Sequence, residues 1–440
     1  MSKPIVAVVG RPNVGKSTLF NRLAGERISI VQDTPGVTRD RIYADVEWLG
    51  RHFTLIDTGG MEPETTNVIV RQILNQAQIA IETADVILFV CDGKTGITED
   101  DRLVAQQLRR TKKPVILAVN KLDTPQKDDI AVYEFYELAL GDPIPISAGQ
   151  ALGLGDLLDE VVKNFPPETE ADEDEDAIQV AIIGKPNVGK SSLINRILGE
   201  DRLIVSDVAG TTRDAVDSPI TIDGQRYVFI DTAGMRRKSK IKEDIERYSI
   251  IRAVAAVERC DVAVLLLDAN EGVTDQDAKI AGIAHENGRG LVIAVNKWDS
   301  IEKDDKTMNK FLKDISTDLA YLSYAPRVFL SAKTGQRVGK LLEMIQVAHQ
   351  NHNLRVGTGV LNDVLMEATA MQQPPADKGK PLRLYYMTQV SVRPPTFVIF
   401  VNDKELFHFS YQRYIENQLR AAFGFTGTPI HLIIREKKEK

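Results

Sequence analysis

The chain is expected to be α/β: two tandem copies of a mostly parallel sheet flanked by helices, followed by a smaller α+β domain. Three observations predict this. An internal repeat with a period of 174 residues runs through most of the chain, and a period that long means duplicated whole domains, not a solenoid. Within each copy, continuous apolar runs alternate with segments of helical spacing, as in a parallel sheet covered on both faces. The last 90 residues repeat nothing.

In the first copy the apolar runs at residues 5–9, 86–92 and 115–120 read as strands, and residues 67–82, 99–110 and 154–164 have helical spacing. In the second copy, residues 219–230 alternate apolar and polar around Asp223-Gly224, a favourable two-residue hairpin turn. Each sheet is therefore expected to carry an antiparallel strand just before the Asp-Thr-x-Gly motif described below. In the tail, residues 383–392 and 397–402 read as strands around Pro394-Pro395, residues 411–423 as a helix, and 429–434 as a final strand. Between the copies lies ETEADEDED at 168–176, with seven acidic residues of nine. It follows Pro166-Pro167, which ends the preceding helix, and reads as a solvated, extended linker. The boundaries that follow are 1–166, a linker at 167–176, 177–350, and 351–440.

At 440 residues, 43% hydrophobic and 27% charged, the chain has the composition of a globular protein too long for one core. No run approaches the roughly 18 apolar residues of a membrane span. The first strand begins at residue 5, leaving no room for a signal peptide, so the cytoplasm is the expected compartment. Cys91 and Cys260 sit apart at the edges of apolar runs, which indicates neither a disulfide framework nor a structural zinc. The net charge of −7 argues against indiscriminate nucleic-acid binding. It is unevenly spread: residues 351–440 hold 12 Lys/Arg and 8 Asp/Glu, a net of +4, which leaves −11 on the rest.

The repeated motifs carry the chemistry. Gly10, Arg11, Pro12, Asn13, Val14, Gly15, Lys16 and Ser17 return as Gly184, Lys185, Pro186, Asn187, Val188, Gly189, Lys190 and Ser191. Each copy is a phosphate loop between an apolar strand and a helix, where backbone N–H groups curl round a polyphosphate at a helix N-terminus. Lys16 and Lys190 are expected to reach the β- and γ-phosphates, and the Ser17 and Ser191 hydroxyls to ligate Mg²⁺. Asp57-Thr58-Gly59-Gly60-Met61 pairs with Asp231-Thr232-Ala233-Gly234-Met235. An aspartate ending a strand can be a mere turn former. Behind a phosphate loop it faces the magnesium, and Gly60 and Gly234 offer a backbone N–H to a γ-phosphate.

Asn120-Lys121-Leu122-Asp123 pairs with Asn296-Lys297-Trp298-Asp299, and Ser147-Ala148 with Ser331-Ala332. A carboxylate there can accept two parallel hydrogen bonds, from N1–H and the exocyclic amine of guanine. Adenine offers no such pair of donors, and a site built for both rejects it. The asparagines support the loop and approach the base, the lysines lie along its face, and Ala148 and Ala332 offer a backbone N–H to guanine O6. A lone Asn-Lys-x-Asp could be a surface turn; two, each after an apolar strand, specify guanine.

This order of motifs, twice over and followed by a short tail, resembles the bacterial double-Era-like GTPases, the Der (EngA) family, across essentially the whole chain. The resemblance implies two P-loop GTPase (G) domains, a KH-like C-terminal domain, and GTP hydrolysis by a cytoplasmic monomer. It also implies a role in assembly of the large ribosomal subunit, with rRNA and ribosomal proteins as partners. Met61 and Met235 stand where many GTPases place a water-orienting glutamine, so intrinsic turnover is expected to be slow. Related GTPases use the phosphate-loop asparagine to hold K⁺, which would assign Asn13 and Asn187 to that ion; the alternative is that they only shape the loop. Thr38 and Thr212 would complete the magnesium shell, making residues 27–41 and 202–214 the first switches. The basic run MRRKSKIK at 235–242 could contact RNA phosphates or be a solvated loop. Gly424-Phe-Thr-Gly427 looks like the nucleic-acid loop of KH domains, but that loop joins two helices. Here it precedes a strand and reads as a helix cap and turn. A scaffold in which one G domain binds GTP without hydrolysing it is the competing reading.

Overall fold

The computed structural model describes residues 3–25, 43–58, 66–123, 131–166, 177–200, 217–232, 245–302, 304, 306–377 and 380–437. The expected linker, both first-switch segments, Thr38, Thr212, Gly59, Gly60, Met61, Ala233, Gly234, Met235 and the whole basic run lie outside these residues. The chain divides into two compact units, Met1–Asp172 with Ile250–Ala255, and Glu173–Ser249 with Ala256–Lys440.

In the first unit, β1 (Ile5–Val9) leads into α1 (Lys16–Gly25), β2 (Tyr43–Trp48) and β3 (Arg51–Asp57). Next come α2 (Thr66–Thr83), β4 (Val86–Asp92), α3 (Glu99–Leu108), β5 (Val115–Asn120), β6 (Ile144–Pro145) and α4 (Leu154–Lys163). The sheet order is β2-β3-β1-β4-β5-β6, parallel except for β2 against β3. Strands β1 and β4 are buried along their whole length, which is why they read as unbroken apolar runs. The antiparallel strand lies one strand earlier than expected: β2 is the edge, and β3, which delivers Asp57, runs parallel to β1.

The second unit repeats this plan. Strand β7 (Ala177–Ile183) precedes α5 (Lys190–Glu200), β8 (Ser218–Ile222), β9 (Gln225–Phe229), α6 (Ile245–Arg259) and β10 (Val262–Asp268). Then follow α7 (Asp275–Glu286), β11 (Gly290–Asn296), α8 (Thr307–Asp318), β12 (Arg327–Phe329) and α9 (Val338–His352). The sheet order β8-β9-β7-β10-β11-β12 matches the first strand for strand. The β8–β9 hairpin turns at Asp223 and Gly224, with φ of 50° and 82° as such a turn requires. The helices expected in the first repeat start within one residue of the observed ones; α3 stops two residues short of its expected end.

The tail builds α10 (Thr358–Met371), a short ribbon of β13 (Ala376–Asp377) and β14 (Lys380–Pro381), β15 (Leu384–Ser391), β16 (Thr396–Val401), α11 (Phe409–Phe423) and β17 (His431–Glu436). Helix α10 has no counterpart in the sequence reading. Leu361, Leu365, Phe397, Tyr411 and Leu419 form a core between the two helices and the β15-β16-β17 sheet. Of the tail aromatics, Phe397, Phe407 and Tyr411 are buried, whereas Tyr385, Tyr386 and Phe409 are exposed. Both cysteines are buried and unpaired. Among the described residues no helix is long and apolar enough to cross a membrane.

Candidate functional site

In both repeats the phosphate loop is shaped by close backbone approach. A Cβ on Gly10 would lie 2.3 Å from Val90 O, and one on Gly184 would lie 2.5 Å from Leu266 O. Gly15 and Gly189 have φ of 93° and 101°, and a Cβ there would meet the Asn120 or Asn296 amide nitrogen at 2.4 or 2.3 Å. Only glycine fits. Val14 and Val188 are buried and seat each loop on its sheet. Asn13 and Asn187 stand exposed at the apex in the left-handed region, with φ of 64° and 66°, a conformation asparagine tolerates better than most residues.

Lys16 Nζ donates to Gly10 O and Arg11 O, each at 2.7 Å. Lys190 Nζ does the same to Gly184 O and Lys185 O, also at 2.7 Å. Both ammonium groups are thus held over their own loops, where a polyphosphate would meet them. The side chains of Arg11 and Lys185 point elsewhere: Arg11 Nε donates to buried Asp101 at 3.2 Å, and Lys185 pairs with Glu271 and lies 3.7 Å from Asp277.

Ser17 Oγ donates to Asp57 Oδ2 at 3.2 Å. A hydroxyl and a carboxylate brought this close at the foot of a phosphate loop are hard oxygen donors of the kind Mg²⁺ prefers. In the second repeat the sequence equivalents diverge. Strand β9 ends at Phe229, and Asp231 sits in the left-handed region with φ of 58°. Its N–H donates to Asp217 at 2.9 Å, and Asp217 in turn pairs with Arg259. Thr58 and Thr232 are buried and bond within the protein, to Val8 O at 2.6 Å and to Ser218 Oγ at 2.7 Å.

The base-reading motifs follow β5 and β11, whose C-termini lie beside the phosphate loops in this sheet order. Asn120 Nδ2 donates to Val14 O at 2.8 Å, and Asn296 Nδ2 to Val188 O at the same distance. Their amide oxygens accept from Ala148 N and Ala332 N at 2.9 Å. Each asparagine therefore ties three loops together, and the alanine N–H expected to face guanine O6 is engaged by it. Lys121 donates to Asp92 at 2.7 Å and also to Asn13 O at 2.6 Å; Lys297 donates to Asp268 at 2.6 Å. Burial would raise the Asp92 and Asp268 carboxyls, but hydrogen bonds from Lys121 or Lys297 and from nearby amides outweigh it and hold both below the usual value. Leu122 and Trp298 are buried, the indole 4.5 Å from Phe329.

Asp123 accepts from Lys94 and, at 2.7 Å, from Ser147, and these bonds hold its carboxyl below the ordinary range. Asp299 is exposed, while Ser331 accepts from Thr334 N at 3.1 Å. Asp92, Lys94 and Asp101 were missed by motif reading. The available signal was a second repeat inside the first: Asp92, Gly96, Thr98 and Asp101 recur as Asp268, Gly272, Thr274 and Asp277. Thr98-x-x-Asp101 and Thr274-x-x-Asp277 are both formed capping boxes, on α3 and α7.

The tail glycines behave as a cap and turn. Gly424 closes α11 with φ of 86°, and the loop then packs against the second repeat. Leu291 N donates to Gly427 O at 2.7 Å, Gly427 N to Tyr324 O at 2.9 Å, and a Cβ on Gly427 would lie 2.5 Å from that of Ala348. A loop engaged in this way cannot also clamp a nucleic-acid backbone. Strand β11, which ends at the base-reading motif, is hydrogen-bonded at its start to this loop.

Residues 5–121 and 179–297 match a family model described as "50S ribosome-binding GTPase", and residues 355–435 match "KH-domain-like of EngA bacterial GTPase enzymes, C-terminal". The chain is 66% identical over 439 residues to GTPase Der of Lachnoclostridium phytofermentans and 64% identical over 439 residues to GTPase Der of Agathobacter rectalis. It is 59% identical over 440 residues to GTPase Der of Clostridium botulinum, and in all three cases 100% of each chain is covered.

Proposed function

Because the chain belongs to the Der (EngA) family of GTPases, we propose that it is a GTP-hydrolysing switch for assembly of the large ribosomal subunit. In this reading it works as a cytoplasmic monomer that docks on rRNA and ribosomal proteins according to the nucleotide held by its two G domains. The units are residues 1–166 and 177–350 for the G domains, 167–176 for the linker, and 351–440 for the KH-like domain. The observation that carries the reading is the doubled asparagine bridge. Asn120 and Asn296 each bond the guanine-specifying loop to the phosphate loop of their own domain at 2.8 Å, so base and phosphate recognition are one rigid frame, twice.

Within each frame, Lys16 and Lys190 leave the carbonyls that hold them and take the β- and γ-phosphates. Asp123 and Asp299 accept from guanine, and Lys121 and Lys297 flank it. Ser17 and Asp57, with Thr38, would hold Mg²⁺ in the first domain; Ser191, Asp231 and Thr212 are the corresponding set in the second. The ion would neutralise phosphate charge. Gly60 and Gly234 offer N–H groups to a γ-phosphate. Met61 and Met235 cannot orient water as a glutamine amide does, so turnover would be slow, and Asn13 and Asn187 would hold a K⁺ whose charge would help offset that of the phosphates. Equal turnover in KCl and NaCl at matched ionic strength would remove potassium from the scheme.

The deciding experiment is co-sedimentation with separated ribosomal subunits in a non-hydrolysable GTP analogue, in GDP and without nucleotide. Binding to the large subunit that depends on nucleotide is expected. Binding that ignores nucleotide, or goes to the small subunit, would refute the switch.

A further inference from the structure

We propose that Asp101 and Asp277 are positioning residues for nucleotide binding: through Arg11 and Lys185 they anchor the entry limb of each phosphate loop while its lysine moves to the phosphates. The proposal rests on the phosphate-loop reading above and deepens it.

Lys16 and Lys190 bond the carbonyls of the first two loop residues. When either ammonium turns to a polyphosphate, those carbonyls lose its bond at the moment the loop must keep its shape; in the second loop Gly184 O keeps Ser249 Oγ, which donates to it at 3.3 Å. The rest of the loop has other holds: Asn120 on Val14 O, Asn296 on Val188 O, and Lys121 on Asn13 O. The entry limb has the side chain of its own second residue. Arg11 reaches Asp101, whose side chain is 0% exposed, and Lys185, itself 9% exposed, bonds half-exposed Glu271 and lies 3.7 Å from Asp277, also 0% exposed.

A capping box alone does not call for this arrangement. Thr98 N and Oγ1 already donate to Asp101 Oδ2 at 3.0 and 2.8 Å, and Thr274 N and Oγ1 to Asp277 Oδ2 at 3.1 and 2.7 Å. Full burial of the acid and a cation supplied by the phosphate loop are additional. Among the described residues, Arg11 Nη2 and Asp277 Oδ1 are buried without a hydrogen-bond partner, so the contact does not satisfy every polar atom it buries. A loop held in its binding shape beforehand loses less conformational freedom when ligand arrives. The anchors should therefore act on affinity, for GDP and GTP alike, and not on the chemical step.

The test uses the full chain carrying Lys190→Ala, so that only the first site is read, with a fluorescent GDP derivative for Kd and GTP turnover for KM and kcat. Asp101→Asn and Arg11→Gln should each raise Kd and KM about tenfold, the scale of a lost charge-assisted hydrogen bond, with kcat changed less than about twofold. The double variant should be no weaker than the weaker single one, and Arg11→Lys, which installs the second repeat's residue, should recover most of what Arg11→Gln loses. Arg11→Gln leaves the helix cap intact, so it decides the matter even if Asp101→Asn folds poorly. An Arg11→Gln chain with Kd within about twofold of its parent, or one that loses kcat at unchanged KM, overturns the proposal. If the Lys190→Ala parent itself binds no guanine nucleotide, the phosphate-loop reading fails first, and that result is visible before any anchor is altered.

Discussion

The two G domains share their motifs almost letter for letter but not the surroundings of those motifs. In the first, Ser17 lies 3.2 Å from Asp57, and Lys121 reaches both Asp92 and the loop apex at Asn13 O. In the second, Asp231 is turned into a left-handed conformation capped by Asp217, and among the described residues the Lys297 ammonium bonds Asp268 alone. The first domain sets Lys94 against Asp123, the carboxylate proposed to read guanine; the second has Asn270, which bonds Asp268 and Ser300. The second domain, in return, is bonded through β11 to the C-terminal domain. Duplication has kept the ligand chemistry and changed what each site is attached to. The first loop has an additional fastening through Lys121, while the strand that leads to the second Asn-Lys-x-Asp motif is bonded at its start to the C-terminal domain.

The sharpest way to break this comparison is to silence each site alone. Lys16→Ala and Lys190→Ala should each weaken nucleotide binding in the altered domain at least about a hundredfold, since two phosphate contacts from a charged donor are lost. Each should leave the other domain's turnover measurable. If either substitution leaves total turnover unchanged, that domain is a non-hydrolytic scaffold.

Next in size is Gly15→Ala against Gly189→Ala. The added Cβ would strike the Asn120 or Asn296 amide and push it off the phosphate loop, with an expected loss of about tenfold or more in affinity. The second domain should lose more, because Lys297 gives its loop no further hold. Equal losses by calorimetric titration would show that the extra bond of Lys121 is not a fastening.

Acid should separate the two units. Burial, with nearby positive groups, lowers His285 to about 4 and His352 to about 3. His285 bonds Tyr324, beside the tail loop, and His352 bonds Thr428 within it. A histidine with a depressed folded pKa supports the folded state fully above its unfolded value near 6.5 and progressively less as pH falls towards the folded one. Between pH 7 and pH 5 each should cost about 2 kcal/mol. The first unit has only His52, which is exposed. Thermal melts at the two pH values should show the second unit shifting down and the first holding, and His352→Gln should shrink the shift. Parallel shifts in both units would contradict this account.

The smallest effect is expected at Lys94. Replacing it with asparagine, the second domain's residue, releases Asp123 from an exposed ion pair and should tighten GDP binding in the first domain about two- to threefold. Weaker binding would mean that Lys94 serves the nucleotide directly.

Much of this was legible because the relevant signals are local. An apolar run buried on both faces, a two-residue Asp-Gly turn and a glycine-rich loop before a helix each depend on residues a few positions apart. Asp101 was not legible as an anchor for Arg11, because the two are 90 positions apart and meet only once β1 and β4 lie side by side. The Gly424–Gly427 loop was readable as a cap, yet its partners Leu291, Tyr324 and Ala348 belong to another domain.

The sequence alone determined that there are two GTPase domains, because the motifs that mark them are short and contiguous and their spacing survives duplication. Only the tertiary structure decided how the two sites differ. Their dissimilarities lie in single residues, Lys94 or Asn270 and Tyr43 or Asp217 outside the motifs and Arg11 or Lys185 at a variable position within one, whose meaning depends on which strand or helix end stands opposite. Side chains act over a few ångströms, and the chain brings its distant parts that close only by folding.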